Sequence, residues 1–148
     1  MVKKVTGLTA TLLILLGCSI KPSDYRGIEK GRLRPCPDSP NCVSTQANDS
    51  RHAMPPLPFL GTKEQSRNRI TAIVQGMKRS RITDRTDSYI HVQFRTRFLR
   101  FVDDVEFFFD DAARTIHFRS ASRIGYYDFG LNRRRMSRIS ERYLAKGE

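Results

Sequence analysis

Apolar residues fall at helical spacing in two places along the chain and at strand spacing between them. Ile70, Ile73, Val74 and Met77 recur at intervals of three and four, which sets them on one face of a helix. Thr62-Lys63-Glu64-Gln65 has the form of a capping box in front of them, so a helix is predicted from about Lys63 to Arg79. Met136, Ile139 and Tyr143 repeat the pattern and predict a second helix over Leu131 to Lys146, with Asp128 or Asn132 placed to cap it. Between the helices the period drops to two. From Ser88 to Arg97, Ile90, Val92 and Phe94 alternate with Tyr89, His91 and Gln93. Arg81-Ile82-Thr83 reads as a short strand, Phe98 to Phe109 as a further strand broken near Asp103, and Thr115 to Ala121 as the return after a turn at Asp110-Asp111-Ala112-Ala113. Strands joined by short turns pair antiparallel. The expected architecture is therefore a single α+β domain, an antiparallel sheet of three to five strands with both helices on one face.

Upstream of residue 62 this periodicity is absent. Residues 36–58 read as an ordered but irregular loop region, in which Pro55-Pro56-Leu57-Pro58 argues against regular structure. Ser19 to Arg34 is polar, carries Pro22, Gly27 and Gly31, and reads as a tether. Before it stand a positive stretch, Met1 to Lys4, and an apolar one, Val5 to Leu16, too short for a comfortable membrane span. The apolar run ends in Leu15-Leu16-Gly17-Cys18, which resembles the bacterial lipobox, with a small residue before the scissile bond and a thiol to take the lipid. The expected organisation is a signal peptide over 1–17, a lipidated Cys18 with its tether over 18–34, and one globular domain over 35–146. Ser19 rather than Asp after the lipidated cysteine points to the periplasmic face of an outer membrane.

Export changes the reading of the other cysteines and of the charge. Cys36 and Cys42 would sit in an oxidising compartment, where pairing is expected. Their six-residue separation is tightened by Pro35, Pro37 and Pro40, and the closed loop would stabilise by roughly 2 kcal/mol. The alternative use of both thiols with Asp38 and His52 as metal ligands matches no standard zinc spacing, so no metal is assigned, and nothing in the chain calls for a cofactor. The net charge is +12, from 20 Arg and 7 Lys against 15 acids. Such an excess suits nucleic acid, but export removes that partner. The anions left are phospholipid headgroups, lipopolysaccharide phosphates, peptidoglycan carboxylates and acidic envelope proteins.

Two stretches are denser in polar groups than folding requires. In Phe101-Val102-Asp103-Asp104-Val105-Glu106-Phe107, strand geometry puts Asp104 and Glu106 on one face and Asp103 on the other, among Phe101, Val105 and Phe107. A carboxylate on the apolar side needs a partner, and Arg is the natural one. The second stretch carries Ser122, Arg123, Asp128, Asn132 and the run Arg133-Arg134-Arg135 in the first turn of the last helix. Cations there oppose the helix dipole, so either internal acids pair with them or they and the helix N-terminus together hold an anion.

These same segments, with Pro35-Cys36-Pro37-Asp38-Ser39-Pro40-Asn41-Cys42-Val43-Ser44 and Arg119-Ser120-Ala121-Ser122-Arg123-Ile124-Gly125-Tyr126, resemble a bacterial and plant family called domain of unknown function 1499, over roughly Arg32 to Leu144. The resemblance implies a free-standing domain that often follows a signal or lipid anchor. It implies no reaction and no catalytic residue. The reading that follows is a membrane-anchored envelope lipoprotein whose Arg-rich face binds an anionic envelope component. Two others stand behind it. One is a scaffold lipoprotein contacting another envelope protein through an apolar patch on the bare sheet face. The other is a hydrolase using Asp103, Asp104 or Glu106. Binding ranks ahead of catalysis.

Overall fold

The computed structural model describes residues 25–145. Four long strands make the body of the sheet: β5 (Ser80–Arg85), β6 (Tyr89–Arg95), β7 (Val102–Asp110) and β8 (Thr115–Ser122). Each pairs antiparallel with the next. The helices are α1 (Lys63–Gln75) and α2 (Leu131–Leu144). Upstream lie four two- or three-residue strands: β1 (Ile28–Glu29), β2 (Arg32–Leu33), β3 (Cys42–Ser44) and β4 (Leu57–Pro58). β3 and β4 both pair with β8, at its two ends, so the sheet has six strands in all and β5 is its other edge.

The alternation decides which face takes the helices. Ile90, Val92 and Phe94 of β6, Val105, Phe107 and Phe109 of β7, and Ile116 and Phe118 of β8 all point one way and are buried. Ile70 and Val74 of α1 and Met136, Ile139 and Tyr143 of α2 pack onto them with no exposed surface. Burying each such side chain contributes about 1.5–3 kcal/mol. α1 opens with the capping box: Thr62 Oγ1 accepts from the Gln65 amide and Gln65 Oε1 accepts from the Thr62 amide. The expected α+β domain, with its two helices on one face, is the observed one.

Three local expectations are corrected. α1 stops at Gln75, not near Arg79, because the Ser80 hydroxyl lies 2.6 Å from the Val74 carbonyl and 2.7 Å from that of Met77, supplying partners that another helical turn would have supplied. The strand expected from Phe98 starts at Val102. Thr96 and Phe101 close a hairpin loop over residues 97–100, in which Arg100 takes a left-handed φ of 55°. The segment over 36–58 is not wholly irregular: Cys42–Ser44 and Leu57–Pro58 each add a short strand to the edge left open by β8. Pro58 is tolerated because it lies in an edge strand, where no ladder needs its missing N–H.

The Cys36–Cys42 disulfide is formed, with Cα atoms 5.7 Å apart, and holds the start of β3. Part of the stretch read as tether is also ordered. β1 and β2 form a hairpin, Leu33 is buried, and residues 25–34 lie over the sheet face opposite the helices.

Candidate functional site

Asp103 and Ser122 are directly opposed in β7 and β8, on the helix side of the sheet. Asp103 is 1% exposed among apolar neighbours, and it is held by Arg135 of α2, whose Nη2 donates to it at 2.5 Å. Arg135 also donates to Asn132 Oδ1 and stacks on the Phe94 ring, 4.8 Å from its centre. Asn132 in turn accepts from Ser120 and reaches Ser122 Oγ and the Asn41 carbonyl through Nδ2. Asp128 caps α2: its carboxylate accepts from the amides of Gly130 and Asn132 at 2.9 and 2.8 Å. An acid of the chain therefore fills the helix N-terminus. The three consecutive arginines separate. Arg135 faces inward, Arg133 donates to the carbonyls of Arg51 and Ala53, and Arg134 donates to that of Phe129.

Asp104, Glu106 and Arg123 lie on the opposite face. Arg123 grips Asp104 with two bonds of 2.7 and 2.8 Å. Burial alone would raise the Asp104 pKa, but Arg123 and His91 outweigh it and bring the carboxyl down to about 2. Glu106, fully buried, takes Arg119 Nη1 at 2.8 Å, the Tyr89 hydroxyl at 2.7 Å and the Gly27 amide at 2.6 Å. Burial and the adjacent Glu106 charge push the Tyr89 phenol well above its usual range. His91 Nε2 is 2.7 Å from Asp104. Arg26 Nη1, a donor only, lies 2.7 Å from Nδ1 and 3.2 Å from Nε2. The Thr83 hydroxyl also meets Nδ1, from a bulge in edge strand β5. Thr83, His91 and Asp104 thus follow the order of a hydrolytic triad, but Arg26 shares the nitrogen a general base would need.

This layer answers two expectations. Asp103 and the pair Asp104 and Glu106 are on opposite faces, each in an ion pair, so the three carboxylates do not line one cleft. The sheet face away from the helices bears charges under residues 25–34 instead of an apolar patch. The expected pairing of Cys36 and Cys42 is observed, and of the other residues of the alternative metal site His52 bonds Asp49 and the Ser39 carbonyl.

Of several open clefts, one lies at the end of the sheet where β6 runs out and β7 begins. A cleft of about 530 Å³ runs between α2 and the junction of α1 with β5. Lys78, Arg79, Arg95 and Arg97 form one wall, and Arg134, Arg138 and Arg142 the other, with Phe94 and Arg135 at the floor. No acid lines it. Among the described residues, none of the seven wall cations is in an ion pair. Of these, sequence reasoning singled out only Arg134. The others come from the turn between α1 and β5, the end of β6 and the loop after it, and α2, and only the spacing of Arg134, Arg138 and Arg142 along a helix signals a shared face.

A family model described as protein of unknown function, DUF1499, matches residues 32–142, from β2 to the last turn of α2. No curated protein and no solved structure matches the chain. With that match spanning the whole sheet and both helices, the chain belongs to the DUF1499 family.

Proposed function

We propose that this protein is a non-catalytic binding protein of the bacterial envelope, which holds an anionic envelope component in the cleft between α1 and α2. One observation carries the reading: seven cations converge on a cleft that no acid lines, and among the described residues none of the seven is in an ion pair. Like charges gathered around one cleft repel, and a bound anion relieves that cost. Six of the seven are arginines, whose planar forks suit phosphate or carboxylate. A lipid on Cys18 would supply the address. Cys18 lies outside the described residues, and no helix among the described residues is long and apolar enough to cross a membrane.

The test uses the chain from Ser19 to Glu148, which keeps every described residue. Its co-sedimentation with phosphatidylglycerol vesicles, lipopolysaccharide and peptidoglycan is measured at low and high salt. Arg134→Glu, Arg138→Glu and Arg142→Glu are compared with the parent. The expected outcome is salt-sensitive binding to one of the three, lowered tenfold or more by the triple reversal, since about 1.4 kcal/mol per tenfold is a modest demand on three phosphate contacts. Binding that ignored both salt and the reversal would sink the cleft.

A further inference from the structure

Two loops at the cleft end of the sheet hold large apolar side chains in the open. The loop between β6 and β7 exposes Phe98 by 85% and Leu99 by 70%, with Phe101 at its base. The loop between β8 and α2 exposes Tyr126, Tyr127 and Phe129, the last by 78%. Single exposed hydrophobics are ordinary, but six from two loops at one end are not. Ser80, Phe94, Asp103 and Ser122 form one row across the sheet, so both loops leave the same end as the cleft. Their bases are its walls: Thr96 and Arg97 on one side, Leu131 and Arg134 on the other.

The loops are built to present these tips. Thr96 and Phe101 pin the first by a backbone bond of 2.9 Å and a second, also 2.9 Å, from the Phe101 amide to Thr96 Oγ1. Asp128 pins the second. Tyr127 and Phe129 pack edge to face on each other, 5.2 Å apart, and the Arg97 guanidinium sits 5.3 Å from the Phe98 ring centre. Aromatic tips with arginines set just behind them match a bilayer interface layer by layer. Rings enter at headgroup depth, and cations remain at the phosphates.

We infer that this end of the molecule is a bilayer-docking face, on which the two aromatic loops insert into an anionic membrane while the cleft takes phospholipid headgroups. The inference rests on the anion-binding reading of the cleft and names the bearer of the anion. Charge complementarity selects a bilayer: no acid lines the cleft, Asp128, the one acid of the two loops, is taken up by the amides of Gly130 and Asn132, and only a surface both anionic and apolar beneath answers both features.

The chain has no tryptophan, so Phe98→Trp and Phe129→Trp each introduce a single tryptophan, excited apart from the five tyrosines, at an exposed tip. The full chain is reconstituted with phosphatidylglycerol–phosphatidylcholine vesicles or with phosphatidylcholine alone, the acyl chains brominated. Quenching of either tryptophan by about twofold or more in the anionic vesicles, and much less in the neutral ones, is the expected result. In the Ser19–Glu148 chain, Phe98→Ser with Leu99→Ser should weaken co-sedimentation with anionic vesicles tenfold or more. Salt-sensitive co-sedimentation with neither tryptophan quenched would overturn insertion and leave the cleft reading intact. Quenching that survives Arg134→Glu and Arg138→Glu would support insertion while sinking the cleft. No quenching and no binding would remove both.

Discussion

Asp103 is a carboxylate on the apolar side of a strand, and Arg135 is what makes it tolerable there. Removing one partner leaves the other charged and buried, which typically costs about 3–5 kcal/mol. Asp103→Ala and Arg135→Met should each lower the unfolding free energy obtained by urea titration by an amount in that range, whereas the pair Asp103→Leu with Arg135→Met should cost clearly less than the sum. Single changes worth under about 1 kcal/mol, a surface-pair value, would show that the bond contributes little. Asp104 makes a different prediction, because its pKa is depressed in the fold, from 3.8 to about 2. A carboxyl held low stabilises the protein above its unfolded pKa, and that stabilisation is lost as pH falls through the folded value. Stability should therefore drop by about 2 kcal/mol between roughly pH 5 and pH 2, and Asp104→Asn should flatten that part of the curve. An unchanged slope in the variant would assign the acid sensitivity to other groups. The need for an arginine beside Asp103 was legible from strand alternation. Which arginine was not, since Arg133, Arg134 and Arg135 are adjacent in sequence and only the turn of α2 sends one inward.

At the scale of elements, the short strands β3 and β4 are where pattern reading failed. Three residues and two residues carry too little alternation to register, and Pro58 argues against a strand wherever its edge position is unknown. Their strand character comes from β8, which has an unpaired edge and supplies the hydrogen-bonding partner. The disulfide matters through the same contact. Cys42 opens β3, and the Ser122 amide donates to the Asn41 carbonyl just before it. Replacing Cys36 and Cys42 together by Ser should cost roughly 2 kcal/mol in denaturant unfolding, by relaxing the closed loop of the unfolded chain. It should also speed hydrogen exchange at Ser122 more than at amides between β6 and β7. Equal protection across the sheet would separate the disulfide from the edge. The long elements were readable because each buries one face: the residues expected inside α2 are those with no exposed surface.

Across the whole molecule, charge and apolar exposure are sorted rather than spread. One sheet face takes the helices and the hydrocarbon core, the other holds paired charges under residues 25–34, and one end gathers, beside exposed rings, arginines that have no acid partner among the described residues. Binding through that end should weaken steeply with salt, because each phosphate contact releases or replaces small ions and exposed charges are screened within about 10 Å at 0.1 M. Local pattern alone determined the two helices, the four long strands and the antiparallel α+β class, and together with the expected export it gave the pairing of the two cysteines. Each of these depends on neighbours a few residues apart, through periodicity, caps and the short reach of a closed loop. Tertiary structure alone decided the partners of Asp103, Asp104 and Glu106, the place of residues 25–34 and the cationic cleft. Those depend on register and on the crossing of distant elements, which bring Arg79, Arg95 and Arg138 to one wall-to-wall gap although nothing in their spacing along the chain relates them.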